Sequence, residues 1–373
     1  MRYYIIAGEA SGDLHASNLM RELKIKDANA SFRCWGGDLM EAQGAKIVKH
    51  YRDLAFMGFA EVILNLRTIL NNISFCKKDI QEYRPDVLIL VDYPGFNLRI
   101  AGFAKQMGIK VVYYISPQIW AWKESRVNTI KKVVDKMLVI LPFEKEFYAK
   151  HDYQVDFVGH PLLDAVLNYD KNDKNVSLTN IGSALDQRPI IALLPGSRKQ
   201  EIKTMLPIML SAVDYFPEYR FIIAAAPSQD ISYYQQFLKD DSIQVVSSRT
   251  YDLLQVAAAA LVTSGTATLE TALFNVPEVV CYKGNKLSYL IARSLVKIKF
   301  ISLVNLIMDR EIVRELIQDD LNTDTLVKEL KKILSSDGQL RMKEQFEQLR
   351  LKLGGSGASS NAAQLIVDYL SHS

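Results

Sequence analysis

The sequence alternates short apolar runs, rich in β-branched residues, with longer stretches of helical character. The runs of the first half are Tyr3–Ala7, Phe32–Trp35, Val87–Val91, Val111–Ile115, Met137–Leu141 and Val155–Val158. Those of the second half are Ile190–Leu194, Phe221–Ala225, Ile243–Val246, Ala259–Thr263 and Val279–Cys281. Strands that alternate with helices pair in parallel, because each helix carries the chain back to the start of the next strand. The pattern therefore predicts an α/β protein whose ligands bind at the carboxyl ends of the strands.

A polar segment rich in Asn and Asp, residues 168–188, interrupts this alternation. A chain of 373 residues is longer than one hydrophobic core usually organises, so we place a linker between two domains there. The sequence predicts two doubly wound, Rossmann-like domains, residues 1–167 and 189–353, that face each other across a cleft. Glycines and a serine at 354–357 precede a last helix. Residues 354–373 are expected to cross to an N-terminal domain, either their own or that of a partner chain.

Composition and charge argue against several classes of protein. The net charge is +3 and no dense run of Lys or Arg occurs, so we expect no nucleic-acid groove. The three cysteines, Cys34, Cys76 and Cys281, lie far apart and form neither a disulfide framework nor a CxxC metal site. The first apolar run is too short for a signal peptide, and no stretch has the ~20 apolar residues of a spanning helix. These features predict a cytoplasmic protein.

The segment that follows the predicted strand Ala259–Thr263 has the composition of an anion site. Its sequence is Ser264-Gly265-Thr266-Ala267-Thr268-Leu269-Glu270, and a helix follows. Free N–H groups at a helix N-terminus, the helix dipole and nearby hydroxyls bind phosphate, and Glu270 could accept hydrogen bonds from ribose hydroxyls. The same residues also fit an ordinary helix start, in which Ser264 or Thr266 caps the helix and Glu270 complements its dipole.

A second loop of small residues follows the predicted strand Ile190–Leu194. It consists of Pro195, Gly196, Ser197 and Arg198, and the planar guanidinium group of the arginine suits phosphate oxygens. A surface arginine without a ligand is the alternative for Arg198 taken alone, but together the two loops predict a diphosphate site. The chain contains no DxD motif, which commonly holds a metal ion on a nucleotide-sugar diphosphate. We therefore expect no metal and no cofactor, and protein donors that stabilise the leaving group.

Several motifs together resemble those of a known family. They are Gly8-Glu9-Ala10-Ser11-Gly12-Asp13, Asp92-Tyr93-Pro94-Gly95-Phe96-Asn97, Ser116-Pro117-Gln118-Ile119-Trp120-Ala121-Trp122, Leu194-Pro195-Gly196-Ser197-Arg198, Ser264-Gly265-Thr266-Ala267-Thr268-Leu269-Glu270 and Val304-Asn305-Leu306. Each motif has limited specificity, but together they occur in the family's order over nearly the whole chain. On these motifs the chain resembles the lipid-A-disaccharide synthases.

The resemblance implies a GT-B glycosyltransferase of lipid A, and hence lipopolysaccharide, biosynthesis. Members transfer 2,3-diacylglucosamine from its UDP derivative to the 6-hydroxyl of 2,3-diacylglucosamine 1-phosphate, and they release UDP. The donor is α-linked and the β(1→6) disaccharide is β-linked, so a single displacement inverts the anomeric centre with the help of one base. For that base we favour Asp92 at the end of the strand Val87–Val91, with Glu9 as its rival. An Asx-turn is the structural alternative for Asp92.

The resemblance also implies binding roles for residues of these motifs. The C-terminal domain is expected to bind the UDP-sugar through Ser197, Arg198, Ser264, Gly265, Thr266, Thr268, Glu270 and Asn305. The N-terminal domain is expected to face the membrane and to bind the acceptor through Ser11, Gly12, Asp13 and Asn97.

An amphipathic segment indicates how a protein without a spanning helix reaches acyl chains. Apolar residues recur at helical spacing from Phe59 to Ile73, which core packing explains equally well. Further apolar residues lie beside Arg and Lys side chains, the composition of a helix partly sunk in a lipid interface. The predicted lipid contacts are Phe56, Met57, Leu64, Leu66 and Phe75. Because the family is peripherally membrane-associated, we expect the protein at the inner face of the cytoplasmic membrane.

Two other functions fit the same fold. A UDP-sugar 2-epimerase would use the same nucleotide loops without a lipid contact, and a non-catalytic sensor of nucleotide sugars would bind without turnover. Binding alone gives no reason for a carboxylate at Asp92, which argues against the sensor. A terminal helix behind a Gly/Ser hinge can exchange between chains, so we favour a homodimer.

Overall fold

The computed structural model describes residues 1–54, 66–172, 186–239, 242–285 and 299–371. The chain forms two compact units. Met1–Asp164 and Leu353–Ser373 make up the first, and Ala165–Lys352 makes up the second. A parallel sheet forms the centre of each unit, and helices connect successive strands. The predicted α/β class with two parallel sheets is confirmed.

Within the described ranges, the sheet of the first unit has seven strands, all parallel to their neighbours. They are β1 (Arg2–Ala7), β2 (Ser31–Gly36), β3 (Lys46–His50), β4 (Val87–Val91), β5 (Lys110–Tyr114), β6 (Lys136–Val139) and β7 (Asp156–Phe157). The order is β3-β2-β1-β4-β5-β6-β7, which reverses direction between β1 and β4. In doubly wound sheets, ligands bind beyond the carboxyl ends of the two strands at this reversal.

Helices connect the strands of the first unit. They are Ala10–Lys26, Asp38–Ala42, Leu66–Tyr83, Pro94–Gln106, Ile119–Trp122, Val127–Val133, Pro142–Ala149 and the terminal helix Ala358–Ser371, with short 3-10 turns at Tyr51–Leu54 and Glu124–Arg126. Helix Pro161–Asn172 begins in the first unit and continues into the second.

In the part of the second unit that the structure describes, the sheet has six parallel strands. They are β8 (Ile190–Leu194), β9 (Arg220–Ala225), β10 (Gln244–Ser247), β11 (Ala257–Thr263), β12 (Glu278–Tyr282) and β13 (Arg314–Ile317). Their order, β10-β9-β8-β11-β12-β13, reverses between β8 and β11. The helices of this unit are Lys199–Leu210, Ile231–Gln235, Thr250–Val256, Thr266–Leu273, Leu303–Met308, Thr323–Leu334 and Ser336–Lys352, with 3-10 turns at Val213–Tyr215 and Gln318–Asp320.

The central strands are apolar on both faces because helices cover both faces of each sheet. Every residue of β4, Val-Leu-Ile-Leu-Val, is buried, and so is every residue of β8, Ile-Ile-Ala-Leu-Leu. β-Branched side chains pack well on such a pleated surface. The two strand pairs at the reversals, β1 with β4 and β8 with β11, are therefore firmly held, and they present the loops that follow them in fixed positions.

Two strands differ from the prediction. Both β3 and β13 lie at the edge of their sheets, and neither was predicted from the sequence. No residue of β3 is fully buried, and it carries Lys46, Lys49 and His50. Polar and charged residues are typical of edge strands, because an edge strand has a neighbouring strand on one side only.

The terminal helix Ala358–Ser371 packs against helix Ala10–Lys26 of the same unit. Its apolar face, which includes Ala362 and Ile366, is buried. The carboxylate of Asp164 accepts hydrogen bonds from the backbone N–H groups of Gly357 and Ser359, at 2.6 and 3.0 Å. These bonds satisfy donors at the start of the helix that would otherwise have no partner.

Candidate active site

The loops after β1 and β4 emerge side by side, because the two strands pair along their length. They form a small depression lined by Gly8, Glu9, Ser11, Gly12, Val91, Asp92 and Tyr93. The structure thus brings together both candidate bases, Asp92 and Glu9, with Ser11 and Gly12 of the predicted acceptor residues. This depression lies at the strand reversal of the first sheet, where the doubly wound topology predicts a ligand.

The carboxyl group of Asp92 touches solvent on one side and protein on the others. Its side chain is exposed by surface area. Burial by the surrounding protein nevertheless raises the pKa of Asp92 to about 7, the negative charge of Glu9 acts in the same direction, and a backbone hydrogen bond from Tyr93 opposes the shift. The two observations agree because a group in a narrow depression is accessible and yet poorly hydrated. A carboxyl group with this pKa is suited to act as a general base at neutral pH.

The loop that carries Asp92 has an uncommon backbone conformation. Asp92 and Tyr93 both have positive φ angles, 44° and 48°. The Tyr93 ring lies against Gly8, where an added Cβ atom would be only 2.5 Å from the ring. Glycine at position 8 is therefore required for the close approach of the two loops.

Two residues predicted to bind the acceptor point into the protein instead. Asn97 is fully buried, and its Nδ2 donates a hydrogen bond to the carbonyl oxygen of Asp92 at 2.7 Å. Asp13 is 3% exposed and accepts hydrogen bonds from backbone N–H groups at the start of helix Asp38–Ala42. Neither residue lines the depression. Both stabilise the loops that form it.

The loops after β8 and β11 also emerge side by side, because Leu194 pairs with Val262. Neighbouring strands lie about 4.8 Å apart, so a diphosphate can contact both loops at once. Arg198 follows β8, and the segment 264–270 follows β11. The structure therefore places the predicted donor loops together, at the strand reversal of the second sheet.

The helix that follows β11, Thr266–Leu273, has an open N-terminus. Its N-cap residue is Gly265, and no side chain caps the helix. The hydroxyl of Ser264 donates to the carbonyl oxygen of Ile301 at 3.0 Å and so does not serve as the cap. Gly265 and Thr266 are exposed. The first N–H groups of the helix are thus available to an anion, which the helix dipole also favours.

Arg198 occupies the N-cap of helix Lys199–Leu210 and lies beside Glu201. Its Nη1 is 3.3 Å from Oε1 of Glu201, whose Oε2 accepts hydrogen bonds from the N–H groups of Ser197 and Arg198 at 3.1 and 3.3 Å. The Arg198 side chain is 63% exposed. A diphosphate that approaches this loop would compete with Glu201 for the guanidinium group.

Glu270 and Thr268 lie within the first turns of the helix after β11. The hydroxyl of Tyr251 donates to Oε1 of Glu270 at 2.8 Å. Burial raises the pKa of Glu270, and the hydrogen bond from Tyr251 opposes this shift. Thr268 is fully buried and donates to the carbonyl oxygen of Gly265 at 2.8 Å. Thr268 therefore shapes the turn from within, whereas Glu270 is partly accessible.

Asn305 is fully buried, and protein groups engage its whole side chain. Its Nδ2 donates to the carbonyl oxygen of Val313 and to Glu315, at 2.8 and 2.9 Å. Its Oδ1 accepts from the N–H groups of Ile312 and Val313, at 2.7 and 3.0 Å. Asn305 thus stabilises the connection to β13 rather than forming part of the surface.

Gln318 was not predicted from the sequence. It follows β13 with a φ angle of 57° and is 9% exposed. Neither atom of its side-chain amide forms a hydrogen bond with a residue in the described ranges. Buried amide groups are nearly always paired, so this one is a candidate to bind a ligand at the same sheet edge as the donor loops. No sequence motif marks it, because the signal lies in its burial and backbone conformation.

The predicted lipid contacts are only partly visible. Phe56, Met57 and Leu64 lie outside the described residues, and Leu66 is the first residue of helix Leu66–Tyr83. Phe75 on that helix is 48% exposed, with its ring centroid 6.1 Å from that of Trp35. No helix within the described ranges combines the length and apolar character that a membrane crossing needs. The same residues contain no cluster of three or more His, Cys, Asp or Glu able to hold a metal ion.

Solved structures with the same fold cover the chain from end to end. UDP-GlcNAc 2-epimerase from Neisseria meningitidis, bound to UDP-GlcNAc, aligns over all of both chains with a TM-score of 0.68 and 12% identity. The calicheamicin glycosyltransferase CalG4 aligns over 100% of this chain and 98% of its own, with a TM-score of 0.62 and 14% identity. At such low identity the likeness shows the two-domain fold alone.

Sequence comparison is more specific. The profile of the lipid-A-disaccharide synthetase family matches residues 3–369. A lipid-A-disaccharide synthase of Syntrophus aciditrophicus is 40% identical, over 99% of this chain and 98% of that protein. Lipid-A-disaccharide synthase 1 of Legionella pneumophila is 37% identical, over 98% and 97% of the two chains. The chain therefore belongs to the lipid-A-disaccharide synthetase family.

Proposed function

We propose that this protein transfers 2,3-diacylglucosamine from UDP to the 6-hydroxyl of 2,3-diacylglucosamine 1-phosphate. The products are the β(1→6) disaccharide of lipid A and UDP. The observation that carries the proposal is the family match over residues 3–369, since relatives named for this activity align along the whole chain. A carboxylate of raised pKa and an open helix N-terminus, each at a strand reversal, support the same reaction.

In the proposed mechanism Asp92 is the general base. A sugar hydroxyl is a poor nucleophile and has to lose its proton as the new bond forms. Asp92 accepts that proton while the 6-oxygen attacks the anomeric carbon, and the bond to the UDP oxygen breaks on the opposite face. The proton ends on the Asp92 carboxyl group and the bonding electrons leave with UDP. A raised pKa makes Asp92 a stronger base than an ordinary carboxylate, and Glu9 contributes by its charge.

The proposed donor site lies at the ends of β8 and β11. The exposed N-terminus of helix Thr266–Leu273 would hold the diphosphate, together with Ser197 and Arg198. Negative charge develops there as UDP departs, and fixed donors stabilise it without reorganisation. Glu270, which accepts a hydrogen bond from Tyr251, would accept further hydrogen bonds from the ribose hydroxyls. Thr268 and Asn305 would contribute indirectly, because both side chains are buried.

The test is a two-substrate assay in mixed micelles. Incubation with both acylated sugars is expected to release disaccharide and UDP in equal amounts. Asp92→Asn should lower kcat about 10²- to 10⁴-fold, as expected for loss of a general base. Asp309→Asn serves as the matched control, since its side chain is 76% exposed and pairs with Lys299. Conversion of UDP-GlcNAc to its 2-epimer without disaccharide formation would contradict the proposal.

Peripheral membrane association at the cytoplasmic face is the second part of the proposal. Phe75 and Leu70 on helix Leu66–Tyr83 are 48% and 54% exposed, and the cation of Lys78 lies on the same helix. Phe75→Glu should reduce flotation with vesicles of anionic phospholipid, because burying a charge in the interface costs free energy. Leu340→Glu is the control, since Leu340 is 62% exposed on a different helix. Equal flotation of the two variants would refute the lipid contact.

We also propose a homodimer formed by exchange of the terminal helix. Gly354, Gly355 and Gly357, which precede the helix, all have positive φ angles, so the hinge can adopt more than one path. The partner's helix would then make the same contacts that Ala358–Ser371 makes here within one chain. Size-exclusion chromatography with light scattering should give twice the mass of one chain, and a monomer at micromolar concentration would refute the exchange.

A further inference from the structure

The backbone that presents Asp92 is strained at three positions. Asp92, Tyr93 and Ile115 have φ angles of 44°, 48° and 66°. The left-handed region is unfavourable for residues with a side chain, and most of all for a β-branched residue such as isoleucine. The N–H of Asp92 donates to the carbonyl oxygen of Ile115 at 3.3 Å, so the strained segments support each other. Such a conformation persists only if surrounding contacts hold it.

Two side chains hold the carbonyl oxygen of Asp92 from within the protein. The hydroxyl of Tyr113, on β5, donates to it at 2.5 Å. Nδ2 of Asn97, on helix Pro94–Gln106, donates to the same oxygen at 2.7 Å. Both Tyr113 and Asn97 are fully buried. The carbonyl group is therefore fixed by two separate elements of the fold, and through it the direction of the Asp92 side chain is fixed as well.

The hydroxyl of Tyr113 is not needed to fill the core. The ring belongs to the hydrophobic cluster on one face of the first sheet, in which a phenylalanine ring would fill the same space. Burying a hydroxyl group costs free energy unless it forms a hydrogen bond. At Tyr113 that bond reaches the backbone of the proposed base. This points to a role in the site beyond packing.

We propose that Tyr113 is a positioning residue for catalysis, whose hydroxyl holds the strained loop so that the Asp92 carboxyl group faces the depression it shares with Glu9. The inference rests on the proposed role of Asp92 as base. Tyr113 touches no substrate, because it is fully buried, and it acts through the Asp92 backbone. Removing its hydroxyl should therefore lower kcat and leave the KM of both substrates nearly unchanged.

The test compares Tyr113→Phe with Tyr114→Phe. Tyr114 is the next residue of β5, is also fully buried, and faces the other side of the sheet near Ser359 of the terminal helix. Both variants lose one buried hydroxyl. Tyr113→Phe is expected to lower kcat about 10- to 100-fold, since small misplacements of a catalytic group have effects of this size. Tyr114→Phe should retain the parental kcat. Thermal unfolding of both variants checks that neither loses its fold.

A pH profile separates positioning from a general loss of structure. A loosened loop lets water reach the Asp92 carboxylate, so its pKa should fall towards the ordinary value. The acid limb of kcat should therefore move to lower pH in Tyr113→Phe and stay in place in Tyr114→Phe. If Tyr113→Phe does not fold, Asn97→Ala removes the other donor to the same oxygen and should change kcat and the acid limb in the same direction. A parental kcat and pH profile in Tyr113→Phe, or in Asn97→Ala where Tyr113→Phe does not fold, would overturn the inference.

The double variant Tyr113→Phe/Asp92→Asn distinguishes this inference from the proposed function. If Tyr113 acts through Asp92, loss of its hydroxyl should have little further effect once the carboxylate is gone. Full activity of Asp92→Asn alone would refute the base. An inactive Asp92→Asn together with a fully active Tyr113→Phe would refute only the positioning role. Independent, multiplicative losses would show that Tyr113 does not act through Asp92.

Discussion

The choice between Asp92 and Glu9 as base can be made from the pH dependence of kcat. Both carboxylates line one depression, and burial together with the charge of Glu9 raises the pKa of Asp92 to about 7. A base works only when ionised, so kcat should rise with pH through this value and then level off. At pH 6, one unit below the pKa, about a tenth of the molecules carry ionised Asp92, and kcat should be about a tenth of its plateau.

Glu9→Gln removes the neighbouring charge and keeps the size of the side chain. Without that charge, ionised Asp92 meets less repulsion, so its pKa falls and the acid limb moves to lower pH. At pH 6 the variant should then lie closer to its own plateau than the parent does. The plateau itself should change little if Asp92 is the base.

The assay measures initial rates from pH 5 to pH 9 at saturating concentrations of both substrates. Glu82→Gln is the control, because Glu82 is 65% exposed and pairs with Lys78 on helix Leu66–Tyr83. Its acid limb should match that of the parent. A Glu9→Gln protein that has lost the plateau by about 10²-fold or more would refute the reasoning and assign the proton transfer to Glu9. An unshifted limb would show that the two carboxylates do not interact.

Three further predictions concern the second unit. Gly196 has a φ angle of 104°, and an added Cβ atom would lie 2.6 Å from Glu201, so Gly196→Ala should distort the loop before Arg198 and raise the KM for the UDP-sugar about tenfold. An unchanged KM would contradict a donor site at this loop. Gln318→Leu should keep or slightly raise the free energy of unfolding, because it removes a buried amide without partners in the described ranges, and calorimetry should show weaker UDP-sugar binding. Unaltered binding would leave no ligand role for the amide. Burial raises the pKa of Glu278 well above its ordinary value, so the folded protein keeps this proton, and its stability should fall by up to about 1.4 kcal/mol per pH unit above the unfolded pKa. Urea unfolding between pH 5 and pH 8 should show that the stability of Glu278→Gln lacks this dependence on pH. If the free energies of unfolding of the parent and the variant change with pH in parallel, the prediction is wrong.

The central strands could be predicted because strands buried on both faces consist almost entirely of apolar residues. β4 and β8 are apolar at every position, and the ends of both strands agree with those expected from the sequence. The edge strands β3 and β13 escaped prediction, because a strand with one open side keeps polar residues and resembles a loop. Because all strands of a sheet are parallel, their carboxyl ends lie at the same edge. The predicted loops of each unit therefore lie at one edge of its sheet, as the alternation of strands and helices predicts.

The direction of single side chains could not be predicted in the same way. Asn97 and Asn305 belong to motifs of the family, yet both are fully buried and bind backbone groups of their own loops. A motif indicates that a residue type is needed, but whether the side chain faces ligand or protein depends on local φ and ψ angles. Tyr113 lies inside a strand, where a tyrosine is an ordinary core residue in sequence terms. Its role can be inferred only from the structure, in which its hydroxyl donates to the carbonyl oxygen of Asp92.

The first unit is assembled from both ends of the chain, which has a consequence for its biosynthesis. Met1–Asp164 leaves the ribosome long before Leu353–Ser373, and all of the second unit is made in between. Until then the face of helix Ala10–Lys26 that receives the terminal helix is uncovered, and Asp164 lacks the N–H groups that it caps. The nascent protein must therefore keep an incomplete sheet domain soluble throughout translation of the second unit. A chain truncated before Leu353 would lack the terminal helix that completes its first unit.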